Sequence, residues 1–177
     1  MNIVLIGMRG SGKSAIGRKI AEILSYNFLD LDEVLTTTLN KNIAQIVEEK
    51  GWPYFRQEEA KVCELISQKN NAVIATGGGI VLNKENIKNL KKNGVIILLN
   101  CDLETLKNRR KNQAADRENR PLLKGPNITT EIEKVWEERK PLYPSAADII
   151  FDANEESSKK TDDLEKKALK IIEVMKS

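Results

Sequence analysis

The chain has 177 residues, of which 40% are apolar and 31% charged, with a formal net charge of +3 and no histidine. This length suits one α/β domain and is too short for two comfortable ones. The small charge does not by itself indicate a nucleic-acid partner, and the lack of histidine excludes His-based acid–base chemistry and His-ligated zinc.

The first part of the chain predicts short strands that alternate with helices. An apolar run at 3–6 and helical spacing from Lys13 onward predict a strand, a glycine-rich loop and a helix. A second strand is expected to end near Leu29. The apolar residues that start at Ile43 predict a small helix that stops at Gly51, and a longer helix follows it.

The same alternation continues to the end of the chain. The remaining predicted elements are a strand at 72–75, a helix at about 84–92 with Gly94 as its C′ residue, a strand at 95–99, a helix from about Asp102, a helix around 132–136, a strand at 149–151 and a helix over 164–175. Residues 112–126 are polar and broken by two prolines, which predicts a mobile loop.

Five short apolar strands separated by helices predict a three-layer α/β/α fold, with a parallel sheet covered on both faces. Ligands of such folds bind beyond the carboxyl ends of the strands. Three polar or glycine-rich clusters come directly after predicted strands, at Gly7–Ser14, Asp30–Asp32 and Gly77–Gly79. We therefore expect these clusters to form one site.

Cysteine usage and the start of the chain bear on its compartment. Cys63 and Cys101 stand far apart, which indicates small buried side chains rather than a disulfide framework or a metal cluster. The apolar start is only a few residues long and has no charged leader, so it predicts neither a signal peptide nor a membrane span. We expect a cytoplasmic protein.

Residues Gly7 to Ser14 satisfy the P-loop pattern G-x-x-x-x-G-K-[ST] in full. Its glycines let backbone N–H groups point at phosphate oxygens, and the helix that follows adds the positive end of its dipole. Lys13 would reach the β- and γ-phosphates of ATP, and the Ser14 hydroxyl would hold Mg²⁺. A glycine-rich turn without a ligand is the alternative, but the position between a strand and an amphipathic helix favours a P-loop NTPase fold.

Two sequence features that are missing here distinguish this P-loop protein from GTPase switches and mechanical ATPases. The strand at 72–75 is followed by Thr76 and glycines rather than by the acidic residue with which most P-loop proteins hold Mg²⁺. The segment Asn83–Asn86 lacks the aspartate that a guanine-reading motif needs. A small kinase that organises its magnesium elsewhere is the remaining interpretation.

Taken together, these motifs resemble the shikimate kinase family from end to end. The matching features are Gly7–Ser14 followed by Gly17-Arg18, Asp30-Leu31-Asp32, Phe55-Arg56 with Glu59, Gly77–Gly79, Arg109, Arg120–Leu123 and Arg139–Tyr143. The resemblance implies one kinase domain over 1–177, with a lid at about 111–126 and substrate-binding helices at about 32–62. It also implies transfer of the γ-phosphoryl group of ATP to the 3-hydroxyl of shikimate, a step of aromatic amino-acid biosynthesis, with Mg²⁺ as the cofactor.

On the nucleotide side, the resemblance implies a set of ATP-binding residues: Gly10, Ser11, Gly12, Lys13, Ser14, Ala15, Arg109 and Arg120. Arg109 would stack on the adenine, and Arg110 is the alternative if the alignment shifts by one residue. Arg120 would close over the phosphates with the lid and stabilise charge in the transition state. Mg²⁺ would be held by Ser14 and, through water, by Asp30.

On the substrate side, the resemblance implies contacts from Asp32, Arg56, Glu59, Gly78, Gly79 and Arg139. Asp32 would bind the substrate hydroxyls and is the candidate general base. Together with Lys13 and Arg120 on the nucleotide side, it completes the set of implied catalytic residues. Arg56 and Arg139 would grip the carboxylate with their planar forks. Taken alone, Asp-x-Asp would instead predict a helix cap and a turn, and Arg56 with Glu59 an exposed ion pair.

Other functions remain open at this point. The nearest is another small P-loop kinase, acting on gluconate, a nucleoside monophosphate or a coenzyme precursor. A nucleotide-binding module without catalysis comes from a different class. The expected partners are ATP and shikimate, with no nucleic acid and no membrane, and the expected state is a monomer.

Overall fold

The computed structural model of the chain describes residues 1–111, 128–154 and 160–176. The strands are β1 (Asn2–Ile6), β2 (Asn27–Asp30), β3 (Ala72–Ala75), β4 (Gly94–Asn100) and β5 (Ile149–Asp152). The helices are α1 (Lys13–Leu24), α2 (Leu31–Leu39), α3 (Ile43–Ser67), α4 (Lys84–Lys91), α5 (Leu103–Lys111), α6 (Ile128–Arg139), α7 (Leu142–Ala146) and α8 (Lys160–Lys176). A 3₁₀ turn covers Ile80–Leu82.

The five strands form one parallel sheet in the order β2-β3-β1-β4-β5. All residues of β1 and β3 are buried, as expected for strands whose two faces are both covered. Helix α1 packs against α8, and α3 packs against α4. The predicted α/β fold with a five-stranded parallel sheet is confirmed.

The strand order places the three predicted clusters next to one another. Strand β3 lies between β2 and β1, so the carboxyl ends of these three strands are adjacent at one edge of the sheet. The P-loop follows β1, Asp30–Asp32 spans the end of β2 and the start of α2, and Gly77–Gly79 follows β3. The expectation that they meet at this edge is confirmed.

Helix α3 consists of two helical segments joined at Gly51, whose φ of 80° and ψ of 168° are not helical. The left-handed φ favours glycine, and this is where the sequence predicts the end of a small helix. The first segment starts with a capping box, in which Asn42 and Gln45 each accept a hydrogen bond from the backbone N–H of the other. The kink turns the second segment, which carries Phe55 and Arg56.

The prediction that Gly94 ends α4 is wrong. The C-cap of α4 is Lys92, and Gly94 is the first residue of β4, where it pairs with Asn2 of β1. A Cβ atom at Gly94 would lie 2.9 Å from the carbonyl oxygen of Leu90 and 3.0 Å from Val4. Glycine is therefore required here by close packing of the strand, not by a helix cap.

Two further expectations concern the described residues. Cys63 and Cys101 are both buried and free, as predicted. None of the helices in the described ranges combines the length and the apolar character that crossing a bilayer would require. The predicted lid at about 111–126 lies outside the described residues apart from Lys111, at the end of α5.

Gly17 tests how tightly α1 packs on the sheet. A Cβ atom at this position would lie 2.8 Å from Phe28 and 3.1 Å from Leu5. Alanine improves helix propensity by about 1 kcal/mol, but overpacking of a core costs about 1–3 kcal/mol. We expect Gly17→Ala to lower the free energy of unfolding by about 1 kcal/mol net, measured by urea denaturation. Glu22→Ala, on the exposed face of α1, is the control, and an equal or higher stability of Gly17→Ala would contradict this packing.

Candidate active site

The P-loop curls between β1 and α1 and holds Lys13 against its own backbone. The Lys13 ammonium donates to the carbonyl oxygens of Gly7 and Met8, both at 2.9 Å. Lys13 is also the first residue of α1, so its positive charge lies near the positive end of the helix dipole. One buried cation is thus held by the loop at the N-terminus of a helix, a combination that suits phosphate binding.

The end of β2 is tied to the P-loop through Asp30. The Ser14 hydroxyl donates to the Asp30 carboxylate at 2.5 Å. The other oxygen of Asp30 accepts from the backbone N–H of Asp32 at 3.1 Å, which makes Asp30 the N-cap of α2. The cap expected of an isolated Asp-x-Asp is therefore present, but Asp30 forms it, and Asp32 lies in the lining of the pocket beside it.

A pocket opens between the P-loop, α2, α3, the loop after β3 and α6. We call it the acceptor pocket, and its lining residues are Arg9, Asp32, Ile43, Trp52, Phe55, Arg56, Glu59, Gly77, Gly78, Gly79 and Arg139. Every residue predicted to contact the substrate lies in this lining. They come from four separate parts of the chain, and the fold brings them together.

The pair of Arg56 and Glu59 is not the exposed ion pair that the spacing alone would predict, because Glu59 is buried and Arg56 is partly buried. One nitrogen of the Arg56 guanidinium donates to both carboxylate oxygens of Glu59, at 2.9 and 2.7 Å. The Glu59 side chain is 1% exposed, and burial raises the pKa of its carboxyl above the ordinary value although Arg56 lowers it. The guanidinium also lies 5.6 Å from the ring centre of Trp52 and 5.2 Å from that of Phe55. These contacts fix Arg56 in one orientation toward the pocket.

Arg139, at the end of α6, is the second guanidinium of the pocket. It is 6% exposed, and burial together with the nearby charge of Arg56 lowers its pKa. Its Nε atom is buried without a hydrogen-bond partner among the described residues. A buried cation with an unsatisfied donor, next to a second cation that is partly buried, favours an anion between them.

Tyr143 connects this side of the pocket to the two loops. Its hydroxyl donates to the carbonyl oxygen of Gly78 at 2.6 Å and lies 3.5 Å from the sulfur of Met8. Burial raises the pKa of the phenol, so Tyr143 stays a neutral hydrogen-bond donor. The sequence places Tyr143 in a motif but indicates no role for it, because its contacts are with residues far away in the chain.

The glycines after β3 are required by the charged groups that contact them. A Cβ atom at Gly79 would lie 2.3 to 2.6 Å from the Arg56 guanidinium. One at Gly77 would lie 3.0 Å from the Glu59 carboxylate and 3.1 Å from that of Asp32. The charged side chains therefore pack directly on the loop backbone, which a plain tight turn would not explain.

The two neighbouring arginines of α5 have different surroundings. Arg109 donates to the carbonyl oxygens of Gly10 and Ser11 in the P-loop, at 3.3 and 3.2 Å, and to that of Ala153 at 2.8 Å. Arg110 is 7% exposed and lies 3.6 Å from the carboxylate of Glu131. This geometry favours Arg109 over Arg110 as the arginine beside a nucleotide. Arg120 lies outside the described residues.

Comparison with known proteins finds relatives over most of the chain. The family model described as shikimate kinase matches residues 9–176. The chain is 43% identical over 145 residues to a shikimate kinase of Pelotomaculum thermopropionicum, with 82% of each chain covered. It is 40% identical over 157 residues to shikimate kinase 2 of Shigella dysenteriae, with 88% of each covered. The solved structure of a shikimate kinase from Acinetobacter baumannii in complex with shikimate matches with a TM-score of 0.88 at 30% identity, over 98% of this chain and 92% of that one.

The raised pKa of Glu59 predicts a specific pH dependence of stability. As the pH rises above the ordinary value near 4.5, the unfolded chain loses this proton before the folded chain does, so the folded state binds more protons and becomes less stable. Glu59→Gln removes this effect. We therefore expect the stability of the variant relative to the unmodified protein to increase from about pH 4.5 to neutral pH.

Urea denaturation at several pH values measures this difference. Glu58→Gln, one position earlier on α3, controls for the loss of a single carboxylate. A difference between Glu59→Gln and the unmodified protein that is constant with pH would contradict the buried ionisable state of Glu59.

Proposed function

The chain belongs to the shikimate kinase family, and we propose that it transfers the γ-phosphoryl group of ATP to the 3-hydroxyl of shikimate in the acceptor pocket. Like its family, it is an ATP-dependent kinase. The observation that carries the proposed mechanism is the meeting of Arg56, Arg139 and Asp32 in one pocket beside the P-loop. Two cations suit the carboxylate of the substrate, and a carboxylate suits its hydroxyls.

In this proposal, Arg56 and Arg139 bind the shikimate carboxylate. Arg56 is already oriented by Glu59, and the unsatisfied Nε of Arg139 supports a role in binding an anion. Each planar guanidinium can make two parallel charge-assisted hydrogen bonds to a carboxylate. Because both arginines are held by the fold, little side-chain entropy is lost when the substrate binds. Gly78 and Gly79 line the same pocket and are proposed to contact the substrate ring.

Asp32 accepts hydrogen bonds from the substrate hydroxyls, including the one that attacks. The new bond joins the shikimate oxygen to the γ-phosphorus, the bond from that phosphorus to the β–γ bridging oxygen breaks, and the hydroxyl proton passes to Asp32. Asp32 is 8% exposed and lies against the Gly77 backbone, so it is fixed rather than mobile. A fixed acceptor suits a loose phosphoryl-transfer transition state, which depends mainly on positioning.

The nucleotide is held by the P-loop, with contacts from Gly10, Ser11, Gly12, Lys13, Ser14 and Ala15. Lys13 would exchange its hydrogen bonds to the loop carbonyls for bonds to the β- and γ-phosphates. Arg109, which lies beside the loop, contacts the adenine side. Arg120 is proposed to close over the phosphates as part of the lid at about 111–126, within a single kinase domain whose substrate-binding helices cover about 32–62.

The chemistry of Ser14 and Asp30 fits a magnesium ion. Mg²⁺ prefers oxygen ligands, keeps several waters and is commonly bound by one or two protein groups together with substrate phosphates. The Ser14 hydroxyl and the Asp30 carboxylate already lie in contact next to the phosphate loop. Among the described residues, no group of three or more His, Cys, Asp or Glu side chains could hold a metal ion. When bound, the ion neutralises charge on the ATP phosphates.

The acceptor specificity is tested by ADP release from MgATP with shikimate, gluconate, AMP or no acceptor. We expect strong stimulation by shikimate only. Stimulation by gluconate or AMP would mean that the protein is a kinase with a different acceptor. No stimulation by any acceptor would favour a nucleotide-binding module without catalysis. Cytoplasmic location and the monomeric state stay predictions.

The role of Asp32 is tested by Asp32→Asn. We expect this variant to lower kcat by about 100-fold or more while ATP binding is unchanged, because only the acceptor side is altered. Asp148→Asn, at the opposite edge of the sheet, is the control. Normal turnover of Asp32→Asn would show that the Asp32 carboxylate is not needed for catalysis.

A further inference from the structure

Lys167 of α8 is a charged side chain that is enclosed by the fold. It is 2% exposed and shares the buried face of the helix with Ile171, and α8 packs against α1. Its ammonium donates to the carboxylate of Asp163, on the preceding turn, at 2.6 Å. Lysine is almost never enclosed without a partner, and a buried ion pair often stabilises a protein less than apolar side chains of the same volume. Stability alone therefore does not explain why a lysine stands here.

The second contact of Lys167 leads out of α8 to the loop after β5. Its ammonium donates at 3.2 Å to the carbonyl oxygen of Ala153, the first residue after that strand. The same oxygen accepts a hydrogen bond from the Arg109 guanidinium at 2.8 Å. A carbonyl oxygen has two lone pairs, so it can accept both bonds. The carboxylate of Asp163 compensates the charge of Lys167 and so reduces the repulsion between two cations that share one acceptor.

Ala153 is held on both sides of its backbone. It is fully buried, and its N–H donates to the carbonyl oxygen of Asn100, at the end of β4, at 2.8 Å. Its own carbonyl oxygen is bound by Lys167 and Arg109. The other end of the Arg109 guanidinium bonds two carbonyl oxygens of the P-loop. Arg109 therefore spans the distance from the P-loop to Ala153, and Lys167 fixes the acceptor at the far end.

We propose that Lys167 is a positioning residue for the nucleotide, because its bond to the Ala153 carbonyl holds Arg109 in place on the adenine side. This inference rests on the proposed role of Arg109 and not on the choice of shikimate as the acceptor. Since Lys167 is enclosed, its effect on ATP binding passes through Arg109 rather than through contact with ATP. Helix α8 then belongs to the nucleotide site, although its sequence pattern predicts only a core-packing helix.

The test is a double-mutant cycle on the affinity for MgATP. Its Kd is measured calorimetrically for the unmodified full chain, Lys167→Met, Arg109→Met and the variant that carries both changes. We expect each single change to raise the Kd about tenfold, the loss of one hydrogen bond to a charged group. The variant with both changes should also show an increase of about tenfold rather than about a hundredfold, because both changes remove the same contact.

Three controls separate positioning from a general loss of structure. Asp163→Asn combined with Lys167→Met leaves no unpaired buried charge and should raise the Kd of MgATP as Lys167→Met does. Lys166→Met, at the exposed neighbouring position of α8, should leave it unchanged. The Kd of shikimate for Lys167→Met should stay within about twofold of the unmodified value, because α8 does not contribute to the described lining of the acceptor pocket.

Three results would overturn the inference. An unchanged Kd of MgATP in both variants that lack Lys167 would show that the lysine does not affect the nucleotide. An increase of about a hundredfold in the variant that lacks both Lys167 and Arg109 would show that the two residues act independently. Equal weakening of MgATP and shikimate by Lys167→Met would assign the lysine a structural role only.

Failure of the underlying assignments gives different results. If Arg109→Met alone leaves MgATP binding unchanged, the nucleotide role of Arg109 fails, and the inference fails with it. If the unmodified protein does not bind shikimate, the proposed function fails, whereas the MgATP cycle still decides the role of Lys167.

Discussion

The charged groups of the acceptor pocket pack directly on the peptide backbone of Gly77–Gly79, and the geometry of the site depends on this contact. The Arg56 guanidinium occupies the space that a side chain at Gly79 would need, and the carboxylates of Glu59 and Asp32 lie 3.0 and 3.1 Å from the Cβ position of Gly77. The sheet order makes this possible because β3 lies between β1 and β2. Charged groups from α2 and α3 thus pack against the loop after β3, and this contact sets their positions.

Burial of these charged side chains explains why their orientations are fixed and why they suit an anionic ligand. Glu59 is almost fully enclosed, and it is tolerated there because it accepts two hydrogen bonds from Arg56. Arg139 is also enclosed but keeps one unsatisfied nitrogen. Groups that are already desolvated and oriented bind an anionic substrate without further loss of hydration or side-chain freedom. The pocket is therefore pre-organised for the carboxylate of the proposed acceptor.

Local sequence pattern is sufficient to predict the sheet and the three clusters at its edge, because the P-loop has a fixed spacing and the buried strands are short apolar runs. It is not sufficient for Gly94, since a glycine after a helix resembles a cap, whereas its cause is packing of β4 on β1. The choice between Arg109 and Arg110 requires the rotation of α5, which spacing does not give. The role of Tyr143 is equally hidden in the sequence because its hydroxyl bonds Gly78, 65 positions earlier.

The most direct test of the central contact is the Kd of shikimate for Gly79→Ala, measured by calorimetry beside the Kd of MgATP. An added methyl group must displace the Arg56 guanidinium, since the two would otherwise overlap. The account predicts that shikimate binding weakens about tenfold or more, the loss of a charge-assisted pair, while MgATP binding stays within about twofold. Shikimate affinity equal to that of the unmodified protein would contradict it, because Arg56 could then bind the carboxylate without resting on the glycine loop.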